Sequence, residues 1–273
     1  MTTPSNRNNP AGTYAPVNGI NLYYEIHGTG SPLIMLHGGF GTFDMFADLS
    51  PALTQNHQVI GVDLYGHGRT ALTDRPLLFE HMADDIMGLI EHLGLAKADL
   101  LGYSLGGIVA LQTAIRHPER VNKLVVISIP FKRTGWYPEI LAGQAAIDPE
   151  SLVGTPMYEA YIRVAPKPED FFRFIATMKD VMSRDYDWRD GVSALKTPTF
   201  IIAGDSDSFP PSHAAEFFHL LGGGLKDGGW TGENLIPSQL AILPGTTHYN
   251  IIDQPDLLLP VLSPFLGGRQ AQE

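Results

Sequence analysis

Cysteine is absent from this chain of 273 residues. Its absence excludes disulfide bonds, thiolate catalysis and cysteine-ligated metal centres. Runs of lysine or arginine are absent too, and the formal net charge is −11. Because binding to a nucleic-acid backbone needs a basic patch, we expect no nucleic-acid partner.

Long apolar runs are also missing from the sequence. None is long enough to span a bilayer, so we expect no membrane span. The first ten residues are polar and contain no apolar h-region of a secretory signal. These features predict a cytoplasmic protein with a flexible N-terminus over residues 1–12. They leave open whether the chain forms a homo-oligomer.

Short aliphatic runs recur along the chain and lack polar alternation, which is typical of parallel strands buried on both faces. They are preceded by an expected antiparallel hairpin around Asn18-Gly19, a dipeptide that favours a tight turn. Amphipathic helical patterns lie between several runs, as at 79–93. The alternation predicts an α/β fold, a doubly wound and mostly parallel sheet of about eight strands. The aliphatic runs are 32–36, 58–62, 99–103, 123–129, 199–203 and 239–243.

Residues 131–195 interrupt this alternation, because no strand pattern occurs there. Three helices are predicted instead, at 138–147, 156–164 and 168–184. We interpret the interval as a helical cap inserted into one core domain that comprises 13–130 and 196–268. Several large side chains of the cap, and one of the core, are candidates for the wall of an apolar pocket. Each of them could instead serve only to pack the cap against the core. The candidates are Tyr103, Trp136, Tyr137, Met157, Tyr158, Tyr161 and Phe172.

A second insertion, 222–237, contains six glycines and Trp230. It connects a predicted helix to the following strand. Such connections emerge at the face opposite the carboxyl ends of parallel strands, where ligands bind. We therefore expect a packing or subunit-contact loop rather than a catalytic one.

The stretch Gly102-Tyr103-Ser104-Leu105-Gly106 places a serine between two residues without side chains. It follows a strand run and precedes a helical pattern over 105–116. This order is typical of a nucleophile elbow, where a Cβ two positions before or after the serine would collide with neighbouring backbone. The other interpretation is an ordinary glycine turn. The context favours Ser104 as a nucleophile.

A serine nucleophile needs a histidine to take its proton and an acid to hold that histidine. His248 fits because it follows the last strand run. Asp205 and Asp207 both follow the 199–203 run. The side chain of the acid must turn towards the last loop, and this favours Asp207, which lies further along the chain. In the alternative, Asp205 is the acid and Asp207 caps the turn.

These residues, together with two further segments, resemble the α/β-hydrolase superfamily, in particular its serine esterases with a helical cap, from about Tyr14 to Leu266. The segments are Leu36-His37-Gly38-Gly39-Phe40 and 63–70. The resemblance implies an oxyanion hole formed by the N–H of Leu105 and that of Gly39, with Phe40 as the alternative. It implies no metal and no cofactor. His37, Asp63, His67 and Arg69 are interpreted as structural.

The favoured function is hydrolysis of carboxylic esters of small, mainly apolar substrates through an acyl-enzyme on Ser104, with water as co-substrate. The same triad could cleave lactones, amides or C–C bonds, or perform cofactor-free perhydrolysis. A serine at the elbow argues against an epoxide hydrolase or a dehalogenase, which would use aspartate. A ligand receptor with little turnover is the alternative from a different class.

Overall fold

The structure of the protein is a computed structural model that describes residues 12–267. The predicted flexible N-terminus therefore lies outside the described residues, except for Gly12. None of the helices in the described part of the chain combines the length and hydrophobicity that a bilayer crossing requires.

The molecule is built on one sheet of eight strands, in the order β1-β2-β4-β3-β5-β6-β7-β8. The pairs β1–β2 and β2–β4 are antiparallel, and all the others are parallel. The predicted mostly parallel sheet is thus confirmed. The strands are β1 Thr13–Val17, β2 Ile20–His27, β3 Ser31–Leu36, β4 His57–Val62, β5 Ala98–Tyr103, β6 Val121–Ile127, β7 Thr199–Ser206 and β8 Gln239–Thr247.

The turn between β1 and β2 is the predicted Asn18-Gly19 turn. Both residues have positive φ, 47° and 81°. This combination matches the right-handed twist of the flanking strands, and asparagine and glycine tolerate it best.

Helices cover both faces of the sheet, which explains why its strands are apolar without alternation. Along β3, Ile34 and Leu36 belong to one hydrophobic cluster, which also contains buried residues of α2, α3 and α8. Leu33 and Met35 belong to a second cluster with residues of α1 and α9. These helices are α1 Ser50–Leu53, α2 Phe79–His92, α3 Leu105–Arg116, α8 Pro211–Leu220 and α9 Pro255–Gly267.

Four helices lie between β6 and β7, and we call residues 131–195 the inserted segment. The helices are α4 Pro138–Ala145, α5 Pro156–Val164, α6 Phe171–Ser183 and α7 Arg189–Ala194. The prediction missed α7, which has only six residues. It also started α6 too early, because Pro168–Asp170 forms a short 3₁₀ turn. The division into core and cap domains stays a prediction.

The loop 222–237 joins α8 to β8 and contains no helix or strand. Its Trp230 side chain is fully exposed, and Leu225 and Leu235 are more than half exposed. These three side chains add little to the core of the chain. The predicted role in subunit contact stays a prediction.

Candidate active site

Ser104 occupies the sharp connection between β5 and α3, with φ at 51°. Its N–H donates to the Ile127 carbonyl at 2.9 Å, which ties the turn to β6. A Cβ at Gly102 would lie 2.2 Å from the Gly106 carbonyl oxygen, and one at Gly106 would lie 2.0 Å from the Leu36 carbonyl oxygen. Only glycine fits at both positions, so this strained turn depends on the motif.

His248 follows β8 and lies beside Ser104. The distance from Ser104 Oγ to His248 Nε2 is 3.0 Å. His248 Nδ1 is 3.0 Å from Asp207 Oδ1. The Tyr103 hydroxyl donates to the His248 carbonyl, and the Trp136 ring stands edge-on to the imidazole at 5.6 Å. The imidazole is therefore held from three sides.

Asp207 is buried and accepts four hydrogen bonds. Oδ1 accepts from His248 Nδ1 and from the Ser208 N–H at 2.7 Å. Oδ2 accepts from the Ser128 hydroxyl at 2.6 Å and from the Gly204 N–H at 3.0 Å. Burial raises the pKa of Asp207, but the His248 interaction, the Ser128 hydroxyl and the Gly204 N–H outweigh it, and the pKa is lowered. An ionised Asp207 can only accept, so His248 Nδ1 carries the proton and Nε2 faces Ser104 as an acceptor.

Asp205 lies elsewhere. It is exposed, and its carboxylate accepts from the Gly245 N–H at 2.9 Å. The structure thus brings Asp207 to His248, while Asp205 binds the end of β8 that leads to His248.

The predicted oxyanion loop crosses directly over the elbow. A Cβ on Gly38 would lie 2.8 Å from the Tyr103 ring and 3.5 Å from Ser104 Cβ. A Cβ on Gly39 would lie 3.8 Å from Leu105 Cβ. Phe40 has φ at 63°, so the chain bends sharply after Gly39. Gly39, Phe40 and Leu105 line the same cavity as Ser104.

His37 supports this loop. Its Nδ1–H donates to the Gly38 carbonyl at 2.7 Å, and Nε2 accepts from the Leu64 N–H at 3.0 Å. Burial lowers the pKa of His37 to about 4. The ring is therefore a neutral brace at pH 7 that does not face Ser104.

Asp63 stabilises the turn that follows β4. Its carboxylate accepts from the Phe43 N–H and the Arg69 N–H at 2.9 Å, and from the Arg69 guanidinium at 3.0 Å. His67 is buried and donates to the Tyr65 carbonyl, and burial lowers its pKa to about 3. These contacts match the structural roles expected for Asp63, His67 and Arg69.

A cavity of about 600 Å³ opens above Ser104, between the core and the inserted segment. Its walls are mainly apolar. Four of the eight methionines of the chain line it, and methionine adapts easily to ligands of different shape. Among the described lining residues none is lysine or arginine, and Glu139 is the one carboxylate. The four methionines are Met45, Met157, Met178 and Met182.

Three of the predicted pocket residues, Tyr103, Trp136 and Met157, line this cavity. The other four do not. Tyr161 lines a smaller cavity of about 210 Å³, and Tyr158 packs edge-on against Phe171 at 4.8 Å. Phe172 is 43% exposed, and the Tyr137 N–H donates to the Ser208 carbonyl at the start of α4. The pocket prediction requires this correction because sequence spacing does not say which face of a helix in the inserted segment turns inwards.

Several further residues of the site were not assigned from the sequence, and three of them have contacts that define the site. Phe79 and Tyr186 line the cavity, and the Tyr186 hydroxyl accepts from Trp136 Nε1 at 2.9 Å. Ser128 binds Asp207 and has φ at 57°. A signal for Ser128 was available, because it directly follows β6 at the edge where carboxyl ends of parallel strands meet. No periodicity marks Tyr186, which lies between two helices.

The reactive groups at this site are therefore a serine hydroxyl, an imidazole and a buried carboxylate. The arrangement can generate a nucleophile, move a proton and hold the resulting imidazolium. Within residues 12–267 no three His, Asp or Glu side chains are grouped to hold a metal ion.

Comparison with known proteins matches residues 31–144 to the family model described as alpha/beta hydrolase fold. A Bacillus subtilis protein, AB hydrolase superfamily protein YisY, is 30% identical over 219 residues, which cover 70% of this chain and 80% of that protein. Two other relatives are each 27% identical and bear provisional names. The carbamate hydrolase RutD of Azorhizobium caulinodans aligns over 78% of this chain and 86% of its own length. An esterase/lipase of Haemophilus influenzae aligns over 86% of this chain and 83% of its own length.

The similarity to YisY extends well beyond the region matched by the family model. The eight-stranded sheet, with helices on both faces, is the architecture that the matched family description names. The chain is therefore a hydrolase that belongs to the α/β-hydrolase superfamily.

Proposed function

We propose that this protein is a serine hydrolase that cleaves carboxylic esters of small, mainly apolar substrates through an acyl-enzyme on Ser104. The observation that carries the proposal is the hydrogen-bonded chain from Asp207 through His248 to Ser104, which ends in an apolar cavity. Both links measure 3.0 Å, within the range that proton transfer requires.

Acylation begins when Ser104 Oγ attacks the ester carbonyl carbon. The hydroxyl proton passes to His248 Nε2, and the ionised Asp207 stabilises the imidazolium. The N–H groups of Leu105 and Gly39 stabilise the tetrahedral oxyanion, with that of Phe40 as the alternative second donor. Leu105 is the first residue of α3, where the helix dipole also favours negative charge. The imidazolium then protonates the leaving alcohol.

Deacylation repeats these steps with water as the nucleophile. His248 Nε2 takes a proton from water, the resulting hydroxide equivalent attacks the acyl carbon, and Ser104 Oγ leaves as it regains the proton. The product acid departs through the cavity. Asp207 needs only to stay ionised, which its lowered pKa favours.

The cavity supports a small apolar ester as substrate. Its volume of about 600 Å³ lies in the usual range for small-molecule sites, and its walls offer mainly methionine, aliphatic and aromatic side chains. The esterase/lipase name of the Haemophilus influenzae relative supports the same reaction.

Carbamate hydrolysis is the second candidate, because the RutD relative is named for it. A carbamate with a free carboxylate would find no lysine or arginine among the described residues that line the cavity. An uncharged ester needs no such partner. The cavity therefore favours the ester over a small anionic carbamate.

The experiment compares Ser104→Ala with Ser183→Ala, a control at the exposed end of α6. We expect Ser104→Ala to lower kcat for p-nitrophenyl butyrate by at least about 10³-fold, since the nucleophile is lost, with an unchanged circular dichroism spectrum. Ser183→Ala should match the wild type. A phosphonate inhibitor should add to a single peptide, the one that contains Ser104, as detected by mass spectrometry.

Full activity of Ser104→Ala, or phosphonate labelling of another residue, would contradict the nucleophile assignment. The wild type is then assayed on matched ester, lactone, amide and carbamate substrates. If kcat/KM for the lactone, amide or carbamate exceeds the value for the ester, the proposed reaction class is wrong, but the assignment of the triad stands.

A further inference from the structure

Charge is distributed unevenly around the cavity. Glu139 lies in the first turn of α4, where its side chain is exposed at the rim. It makes no ion pair with any residue of 12–267. A cationic group in the cavity would therefore meet an available carboxylate, whereas an anionic group would meet no lysine or arginine on the described walls.

Three cations of the inserted segment that are close in sequence to cavity-lining residues are engaged elsewhere. Lys132 pairs with Glu216 at 2.8 Å, and Arg133 lies 3.5 Å from an aspartate carboxylate. Lys179 donates to the Ile147 carbonyl at 3.1 Å. None of the three lines the cavity, so the charge of Glu139 is not neutralised from within it.

An aromatic wall connects Glu139 to the reacting atoms. Trp136 stands edge-on to His248 and is three residues before Glu139, so their Cα atoms are at most about 11 Å apart. Trp136 is fixed by its hydrogen bond to the Tyr186 hydroxyl. Aromatic faces attract cations. Ser104, Trp136 and Glu139 line the same cavity, so a substrate with its carbonyl at Ser104 shares the cavity with both other side chains.

We infer that this cavity selects esters that carry a positive charge, a protonated amine or a quaternary ammonium group, at the end remote from the scissile carbonyl. Glu139 is the specificity-determining residue, and esters that carry a carboxylate are disfavoured. This inference rests on the proposed ester hydrolysis. A purely structural interpretation is that Glu139 only stabilises the N-terminus of α4 through the helix dipole, which would change stability but not substrate charge preference.

The test uses two esters of nearly identical shape, butyrylcholine and 3,3-dimethylbutyl butyrate, which differ by a nitrogen cation in place of a carbon. The ratio of their kcat/KM values is measured for the wild type, Glu139→Gln and Glu159→Gln at low ionic strength. Glu159 is the matched control, because it also lies in the first turn of a cap helix, α5, is exposed, and lines neither of the two cavities described above.

We expect the wild type to prefer the cationic ester by roughly three- to fivefold, the size of a partly exposed ion pair. Glu139→Gln should abolish most of this preference, and Glu159→Gln should keep it. The preference should also shrink in 0.5 M salt, a concentration that shortens the screening length to roughly 4 Å. Butyltrimethylammonium should inhibit the wild type more strongly than Glu139→Gln.

An equal ratio in the wild type and Glu139→Gln, or a wild-type preference for the neutral ester, overturns the inference while ester hydrolysis stands. If the wild type hydrolyses neither ester, the proposed function itself is contradicted. The two failures are therefore distinguishable.

Discussion

The two walls of the cavity are held in different ways. On the core side, Ser104, His248 and Asp207 are each fixed by directional hydrogen bonds from neighbouring strands and loops. On the side of the inserted segment, one hydrogen bond joins Trp136 to Tyr186, whereas the Met178 and Met182 side chains line the cavity from α6 and can only pack. Hydrogen bonds fix angles, whereas methionine contacts tolerate movement. The core is therefore suited to chemistry and the inserted segment to selecting what reacts.

Backbone strain follows the same division. Within residues 12–267, four residues other than glycine have positive φ, and three of them, Phe40, Ser104 and Ser128, adjoin the candidate site. All three belong to the core. In the inserted segment the described residue with positive φ is Gly154, for which this conformation carries little strain. Strain of this kind persists only where the surrounding structure holds it, and here that structure is the buried sheet.

The largest expected effect comes from substitution of Asp207, on the core side of the cavity. We expect Asp207→Asn to lower kcat by about 10³- to 10⁴-fold, because the amide NH2 can donate to Nδ1 and favour the wrong tautomer of His248, and because no charge remains to stabilise the imidazolium. Asp205→Asn, two residues away and exposed, should stay within about fivefold of the wild type, since the Asp205 carboxylate accepts from the Gly245 N–H in β8 rather than from His248. Steady-state kinetics on p-nitrophenyl butyrate measure both. A greater loss from Asp205→Asn would reverse the assignment of the acid.

A second prediction compares glycines of the two regions. Gly106→Ala places a Cβ 2.0 Å from the Leu36 carbonyl oxygen. We expect it to cost more than about 3 kcal/mol of folding free energy, since rigid backbone must move. At Gly143 in α4 nothing lies within 4 Å of an added Cβ. Gly143→Ala should be neutral or stabilise by about 0.5–1 kcal/mol, because alanine favours the helix.

Urea unfolding followed by circular dichroism measures both variants. A soluble Gly106→Ala protein with wild-type stability would show that the elbow can relax. Such a result would remove the steric argument for the motif.

The smallest expected effect concerns Ser128, which supports Asp207 without facing the cavity. Loss of its hydroxyl removes a donor that lowers the pKa of Asp207, so this pKa rises. The acidic limb of the kcat/KM profile should therefore move to higher pH, since the carboxylate loses one of the hydrogen bonds that favour its charged form.

Ser128→Ala and Ser128→Gly separate the hydroxyl from the backbone. Both remove the hydroxyl, but glycine also relieves the positive φ of 57°. We expect the same pH shift in both and higher stability in the glycine variant. The profile is measured by chromatographic quantification of butyric acid released from ethyl butyrate. Profiles that coincide with the wild type would make Ser128 a purely structural residue.

The sequence predicted the fold well because its signals are local. Asn18-Gly19 predicted a hairpin that the structure contains, and the six aliphatic runs all became strands. The elbow was predictable for the same reason, since Gly102 and Gly106 lie within two residues of Ser104. The cavity wall formed by the inserted segment was predicted poorly, because the inward face of α5 depends on its packing against α6, which local spacing does not contain.

The sequence by itself determined which strand each reactive residue follows. Ser104 comes after β5, the two aspartates lie at the end of β7, and His248 comes after β8. Each follows from local pattern. Only the tertiary structure decided that Asp207 rather than Asp205 meets His248, and that Ser128 supports it. It also decided which side chains of the inserted segment enclose the cavity. These outcomes depend on distances between residues far apart in sequence, and such distances exist only once the sheet has brought its carboxyl edge together.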